Sequence, residues 1–148
     1  MSSKTIKFEI VTPERVVLKQ EILQITVPTA NGEITVLPNH IPLVSIIKSG
    51  VIEIKLADNI TEIISVGSGF IEVMKDKVVI LADTAERAEE LDEARIKEAR
   101  ANAEKLKSEA KNLDDVQFAN IASKIEKELA RERAVHKWRR LNNINPGK

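Results

Sequence analysis

The residues best equipped for chemistry in this chain are few. No cysteine is present, which removes thiolate nucleophiles, disulfides and thiolate–metal sites together. Two histidines remain, His40 and His136, far apart in the chain, so a histidine metal centre is not expected. His40 stands in Pro38-Asn39-His40-Ile41-Pro42, a rigid loop from which an imidazole could act as a general base. No serine or carboxylate is placed by spacing to complete a triad, so a structural or interface histidine is the expectation. Gly67-Ser68-Gly69 could suggest a dinucleotide loop. It is followed by Phe70-Ile71-Glu72-Val73, a strand pattern that offers no helix N-terminus to an anion, so a turn or a close backbone approach is expected. Asn59-Ile60-Thr61 matches the glycosylation pattern without a secretory signal ahead of it. No catalytic residue and no metal ligand is assigned.

Charge is more informative. The chain balances 23 Lys+Arg against 23 Asp+Glu over 148 residues, which argues against non-specific gripping of nucleic acid. Within residues 85–148 the charges separate. Glu86, Glu89, Glu90, Asp92 and Glu93 make the expected start of a helix acidic, while Arg131, Arg133, Lys137, Arg139 and Arg140 make the end of a second helix basic around the sole tryptophan, Trp138. One reading is dipole compensation on a solvated face. The other is a docking surface for an acidic partner, with Trp138 as its aromatic anchor.

These residues sit on two kinds of scaffold. Residues 1–84 hold 33 Val, Ile and Thr and 3 Ala; residues 85–148 hold 6 and 11. β-Branched residues suit pleated sheets and alanine suits helices, so the change near Thr84 marks a β domain over 1–84 and an α domain over 85–148. In the first part Ile6, Phe8 and Ile10 alternate with Lys7 and Glu9, and Ile52, Ile54 and Leu56 with Glu53 and Lys55. Turn pairs such as Asn31-Gly32 and Asp58-Asn59 punctuate short runs, predicting an antiparallel β-sandwich or flattened barrel. In the second part Ile96, Ala99, Ala103, Leu106, Ala110 and Leu113 form one helical stripe, and Phe118, Ile121, Ala122, Ile125 and Leu129 another. Asp114, with Gln117 three residues on, supplies a capping box between them. The prediction is a two-helix antiparallel hairpin, shallowly packed because half of its first stripe is alanine, and able to undock. No apolar run approaches the ~20 residues that span a bilayer, and Met1-Ser2-Ser3-Lys4 does not open a signal peptide, so an intracellular protein is expected.

Asn31-Gly32-Glu33-Ile34-Thr35-Val36-Leu37-Pro38-Asn39-His40-Ile41-Pro42-Leu43-Val44 resembles the epsilon subunit of bacterial F-type ATP synthase. Gly67-Ser68-Gly69-Phe70-Ile71-Glu72-Val73 and Val79-Ile80-Leu81-Ala82-Asp83-Thr84-Ala85 resemble two further signatures of that family, in the same order. The resemblance implies a non-catalytic subunit at the cytoplasmic face of the bacterial membrane, peripheral to it, joining the gamma subunit to the ring of c subunits in ion-driven ATP synthesis. Asn31, Gly32, Glu33 and His40 then match rotor and ring contacts. It further implies that the C-terminal helices inhibit ATP hydrolysis by reaching the alpha/beta head, which assigns Arg131, Arg133, Lys137, Trp138, Arg139 and Arg140 to that partner. No cofactor is required, but several members bind ATP as a regulatory ligand through (Ile/Leu)-Asp-x-x-Arg-Ala. Leu91-Asp92-Glu93-Ala94-Arg95 matches that motif with Ile96 in place of alanine, and Glu86, Lys127 and Arg131 fall where the other ligands would lie. The plainer reading is a helix-start carboxylate pairing with Arg95 at i,i+3. A free-standing ATP-sensing or adaptor module is the alternative to a rotor subunit.

Overall fold

The computed structural model describes residues 4–110 and 112–143; the Met1-Ser2-Ser3 segment weighed as a leader lies outside them. Ten strands come first: β1 Ile6–Val11, β2 Val16–Ile22, β3 Gln24–Thr29, β4 Gly32–Val36, β5 Leu43–Ile47, β6 Gly50–Lys55, β7 Thr61–Val66, β8 Gly69–Val73, β9 Lys77–Ala82 and β10 Ala85–Arg87. Two helices follow, α1 Glu93–Glu109 and α2 Asp115–Leu141.

The strands form one sheet in the order β10-β7-β6-β3-β5-β8-β9-β1-β2, with β4 paired to β3. The sheet folds over on itself, and its two ends, β2 and β10, come into contact. Ile6, Phe8, Ile10, Ile25, Ile52, Ile54, Ile71 and Ile80 fill the space between the two layers, buried as their alternation requires. The result is the β-sandwich or flattened barrel expected, with one departure: β1 and β9 pair in parallel. Gly67 and Gly69 owe their identity to close packing. A Cβ on Gly69 would collide with the Leu81 carbonyl oxygen and stand 2.8 Å from Ala82 Cα across the β8–β9 ladder.

The sheet runs on past the compositional break at Thr84. Ala85–Arg87 pair with Ile64–Val66 of β7, and Ala85 is buried in the sandwich core. The acidic run 86–93 is therefore not one helix start. Glu86 belongs to β10, Glu89 and Glu90 to a 3-10 turn, and α1 begins at Glu93.

α1 and α2 pack on one another, and α2 supplies the main contact with the sheet, against β6, β7 and the 3-10 turn. The capping box forms as expected: Gln117 N–H donates to Asp114 at 2.7 Å, and the Gln117 side chain accepts from the Asp114 N–H at 3.3 Å. The contact stripes differ from those expected. Leu106 and Phe118 are exposed, and the buried hairpin residues are Ile96, Ala103, Ala130, Ala134 and Val135. The docking face thus lies beyond the second stripe, where alanines let α2 approach the sheet closely.

Candidate functional site: a docked helix and a bare apolar face

The strand β7 reads Thr61-Glu62-Ile63-Ile64-Ser65-Val66, and Ile64 and Val66 point into the sandwich. By alternation Ile63 points outward, yet it is only 1% exposed. It is covered by α2: Ile63, Ala88 and Ala134 form a second small core, with Val51, Leu91 and Trp138 packed against it. Trp138, expected to anchor an external partner, is therefore engaged by the sandwich while the hairpin is docked.

Ion pairs surround this apolar contact. Lys127 Nζ lies 2.7 Å from Asp83, just beyond β9. The Arg131 guanidinium grips Glu86 of β10 with two nitrogens, at 2.9 and 3.4 Å, and also meets Glu128. Lys137 pairs with Glu53 of β6. Arg139 reaches Glu93 of α1 at 2.5 Å, where His136 at 3.2 Å and Lys97 at 3.3 Å converge on the same carboxylate. Arg100 of α1 pairs with Glu132 of α2 at 2.5 Å. Burial alone would raise the Glu93 carboxyl, but Lys97, His136 and Arg139 outweigh it and hold the group below the usual carboxylate range. Burial would likewise raise Asp83; Lys127 and the Thr84 N–H, which donates at 2.7 Å, hold it down instead.

The five basic residues grouped by the sequence are thus not alike. Arg131, Lys137 and Arg139 are spent inside the chain, whereas Arg133 and Arg140 are exposed and meet no carboxylate within salt-bridge distance among the described residues. Of the six residues proposed for ATP, the structure joins Glu86 to Arg131 and places Asp92 beside Arg95. Leu91 sits in the docking core and Lys127 is held by Asp83. Asp92 caps α1 by accepting from the Ala94 and Arg95 N–H groups, and the Arg95 side chain, 3.9 Å from Asp92, is 88% exposed. Ile96 is buried within the hairpin.

Asn31-Gly32-Glu33 and His40 lie at opposite ends of β4. Asn31 lies in the exposed β3–β4 turn and Gly32 and Glu33 open β4, where the Thr29 hydroxyl donates to the Gly32 carbonyl at 2.5 Å. His40 sits in the β4–β5 loop and donates from Nδ1 to the Ile41 carbonyl at 2.6 Å, which fixes its tautomer. The five residues of β4 separate Asn31 from the loop that carries His40 by roughly 17 Å.

One feature went unread in the sequence. Ile46 of β5, Phe70 of β8, Leu81 of β9 and Val11 of β1 stand in a single cross-strand row on the outer face. Ile46, Phe70 and Leu81 are each more than half exposed, and Val44 flanks them. The signal was present: Leu43–Ile47 and Lys77–Ala82 are apolar at successive positions rather than alternate ones. A strand apolar on both faces needs a cover on both. No cluster of three or more His, Cys, Asp or Glu side chains arranged for a metal occurs among the described residues, and no described helix is long and apolar enough to cross a membrane.

A closed-over sandwich followed by a helical pair docked through its second helix places the chain in a recognised structural class. Residues 5–88 match the family described as "ATP synthase, Delta/Epsilon chain, beta-sandwich domain". The chain is 42% identical over 137 residues to the ATP synthase epsilon chain of Chloroflexus aggregans, covering 91% of this chain and 96% of that one. It is 38% identical over 117 residues to the epsilon chain of Herpetosiphon aurantiacus, covering 79% and 85%. This protein belongs to the ATP synthase epsilon chain family. The fold also matches a chain in the mitochondrial ATP synthase of Euglena gracilis, at TM-score 0.76 and 21% identity over 92% of this chain and 84% of that chain. A chain in the central stalk and c-ring structure from Tetrahymena thermophila matches at TM-score 0.62 and 13% identity over 91% and 99%.

Proposed function

We propose that this chain is a non-catalytic central-stalk subunit of a bacterial rotary ATP synthase, peripheral to the cytoplasmic face of the membrane. Its sandwich joins the gamma subunit to the c-ring, and its hairpin restrains ATP hydrolysis when it undocks and reaches the alpha/beta head. The observation that carries this reading is the asymmetry of the sandwich's two outer faces. One is covered by a helix held through alanines and ion pairs, a contact that can release; the other presents the bare row Ile46–Phe70–Leu81–Val11. A permanent partner belongs on the apolar row, which is assigned to gamma. The turn Asn31–Glu33 is assigned to the ring and the His40 loop to a second rotor contact; their separation by the length of β4 suits a subunit that bridges two partners.

ATP is assigned a regulatory role at Glu86, Leu91, Asp92, Arg95, Lys127 and Arg131. To engage Arg131 its phosphates must displace Glu86, and Arg95 must swing inward from solvent, so the site forms only with rearrangement. Calorimetry with wild type and Arg95→Ala tests this; identical heats remove the nucleotide site.

The function is tested by ATP hydrolysis in a catalytic head–gamma complex stripped of this chain. Adding the full chain should slow hydrolysis, whereas a chain ending at residue 90 should bind and not slow it. Equal rates with both would remove the helices from regulation, and failure of both to bind would remove the stalk assignment.

A further inference from the structure

We infer that the five cations near the end of α2 are two sets with opposing effects. Arg131 and Lys137, together with Lys127, latch the hairpin to the sandwich, and Arg139 holds its two helices together. Arg133 and Arg140 are the surface offered to an acidic protein segment while the hairpin is still docked. The second half rests on the proposed inhibitory role; the first does not.

The latch is defined by its partners. Four carboxylates outside α2 receive these four cations: Asp83 takes Lys127, Glu86 takes Arg131, Glu53 takes Lys137 and Glu93 takes Arg139. Three of them, Asp83, Glu86 and Glu53, belong to the sandwich, so each pair breaks when α2 leaves it. Glu93 does a different job. It opens α1 and gathers Lys97, His136 and Arg139, binding the first turn of one helix to the last turns of the other. The pairs ring the Ile63–Ala88–Ala134 contact, where partial exclusion of water strengthens them beyond isolated surface pairs.

Arg133 and Arg140 stand apart from all of this. They are seven residues apart, with His136 between, and so share one face of α2. That face borders an open hollow of about 1110 Å³ that Arg100, Glu132, Lys137 and Arg139 also line; these three cations are paired to Glu132, Glu53 and Glu93, so Arg133 and Arg140 supply the net positive charge there while the hairpin is docked. An acidic protein segment is the partner this charge fits, and it can make first contact here without opening the latch. Undocking then exchanges internal carboxylates for external ones at the remaining cations. Charge is conserved in that exchange, so the balance is governed by small differences between two similar sets of pairs. Asp83, Glu86, Glu53 and Glu93 act as an internal stand-in for the partner.

The consequence is a difference of sign. Glu53→Gln with Glu86→Gln weakens the latch and leaves every cation in place; Arg133→Gln with Arg140→Gln removes the free pair and leaves the latch. Emission from Trp138, the sole tryptophan, and amide exchange over 130–138 read docking in the full chain. Hydrolysis by the head–gamma complex reads inhibition, and amide exchange in β1, β8 and β9 confirms the fold. The carboxamide pair should red-shift Trp138, speed amide exchange in α2 by about tenfold and deepen inhibition. The arginine pair should leave Trp138 unmoved and relieve inhibition. Unchanged Trp138 emission and exchange in the carboxamide variant overturn the latch, whatever hydrolysis does. If both variants move inhibition the same way, the five cations are one set and the division is wrong. A wild-type chain that does not inhibit overturns the proposed function and the second half with it, and the Trp138 arm still decides the first.

Discussion

Ile63 offers the most direct energetic probe of the docked hairpin. It lies on the outer face of β7, opposite Glu53 of β6, and is 1% exposed because α2 covers it. Ile63→Ala removes about three methylene equivalents from this contact, and at ~0.8 kcal/mol each the docked state loses about 2.4 kcal/mol, a shift of about 50-fold in the docking equilibrium. The sandwich core should not share that cost, since Ile52, Ile54, Ile64 and Ile71 lie on the other side of the sheet. Native-state hydrogen exchange followed residue by residue is the assay. Amides of α2 from Ala130 to Trp138 should lose about 50-fold in protection, while those of β1, β8 and β9 hold theirs. An equal loss in helix and strands would refute the reasoning, because the hairpin and sandwich would then unfold as one cooperative unit. Unchanged protection in α2 would show that Ile63 is not part of its seat.

Acid should also release the hairpin. Asp83 and Glu93 are held below their ordinary values in the folded chain, so their contribution is present above the unfolded carboxylate range, about 4, and is lost as pH falls through the depressed values. Trp138 emission should therefore be flat near neutrality and red-shift below about pH 4, before β-sheet circular dichroism is lost; simultaneous loss would contradict the order. Asp114→Ala removes the capping box and should cost about 1 kcal/mol at the start of α2. Because that end of the helix does not rest on the sandwich core, faster exchange should be confined to residues near 116–120, leaving 130–138 protected. Phe70→Glu places charge in the middle of the bare apolar row, at a side chain 57% exposed, and should abolish co-purification with the gamma subunit without lowering the thermal midpoint. A lowered midpoint would mean that the row serves the fold instead.

What could be read in advance depended on how local its cause was. The alternation Ile6-Lys7-Phe8-Glu9-Ile10 and the Asp114–Gln117 cap are decided within a few residues, and both formed as expected. The parallel β1–β9 pair and the short β10 depend on partners distant in sequence, which is why the change of composition at Thr84 precedes the end of the sheet. The helical face was harder still. Ala130 and Ala134 fall in neither expected stripe and the sequence offers Arg131 to an outside partner or to ATP, yet the small side chains permit close docking, which brings Arg131 to Glu86. Glu53, Asp83 and Glu93 gave no sign of their roles, because a carboxylate on a strand or at a helix start is ordinarily solvated. The family resemblance rested on three stretches that the structure places mostly in strands: β4 with the loop into β5, β8 with the turn before it, and the end of β9 into β10.

The central claim is that the seat of α2 on β6 and β7 must open for the chain to inhibit. The chain has no cysteine, so Ala88→Cys with Ala134→Cys introduces a single pair across the docking core. The pair can be joined by oxidation or by a short thiol-reactive crosslinker, and the joined protein added to the head–gamma complex. The account predicts that the joined protein assembles normally and no longer slows ATP hydrolysis, and that an oxidised sample regains inhibition on reduction. Full inhibition by the joined protein would contradict it, since the hairpin would then act without leaving the sandwich.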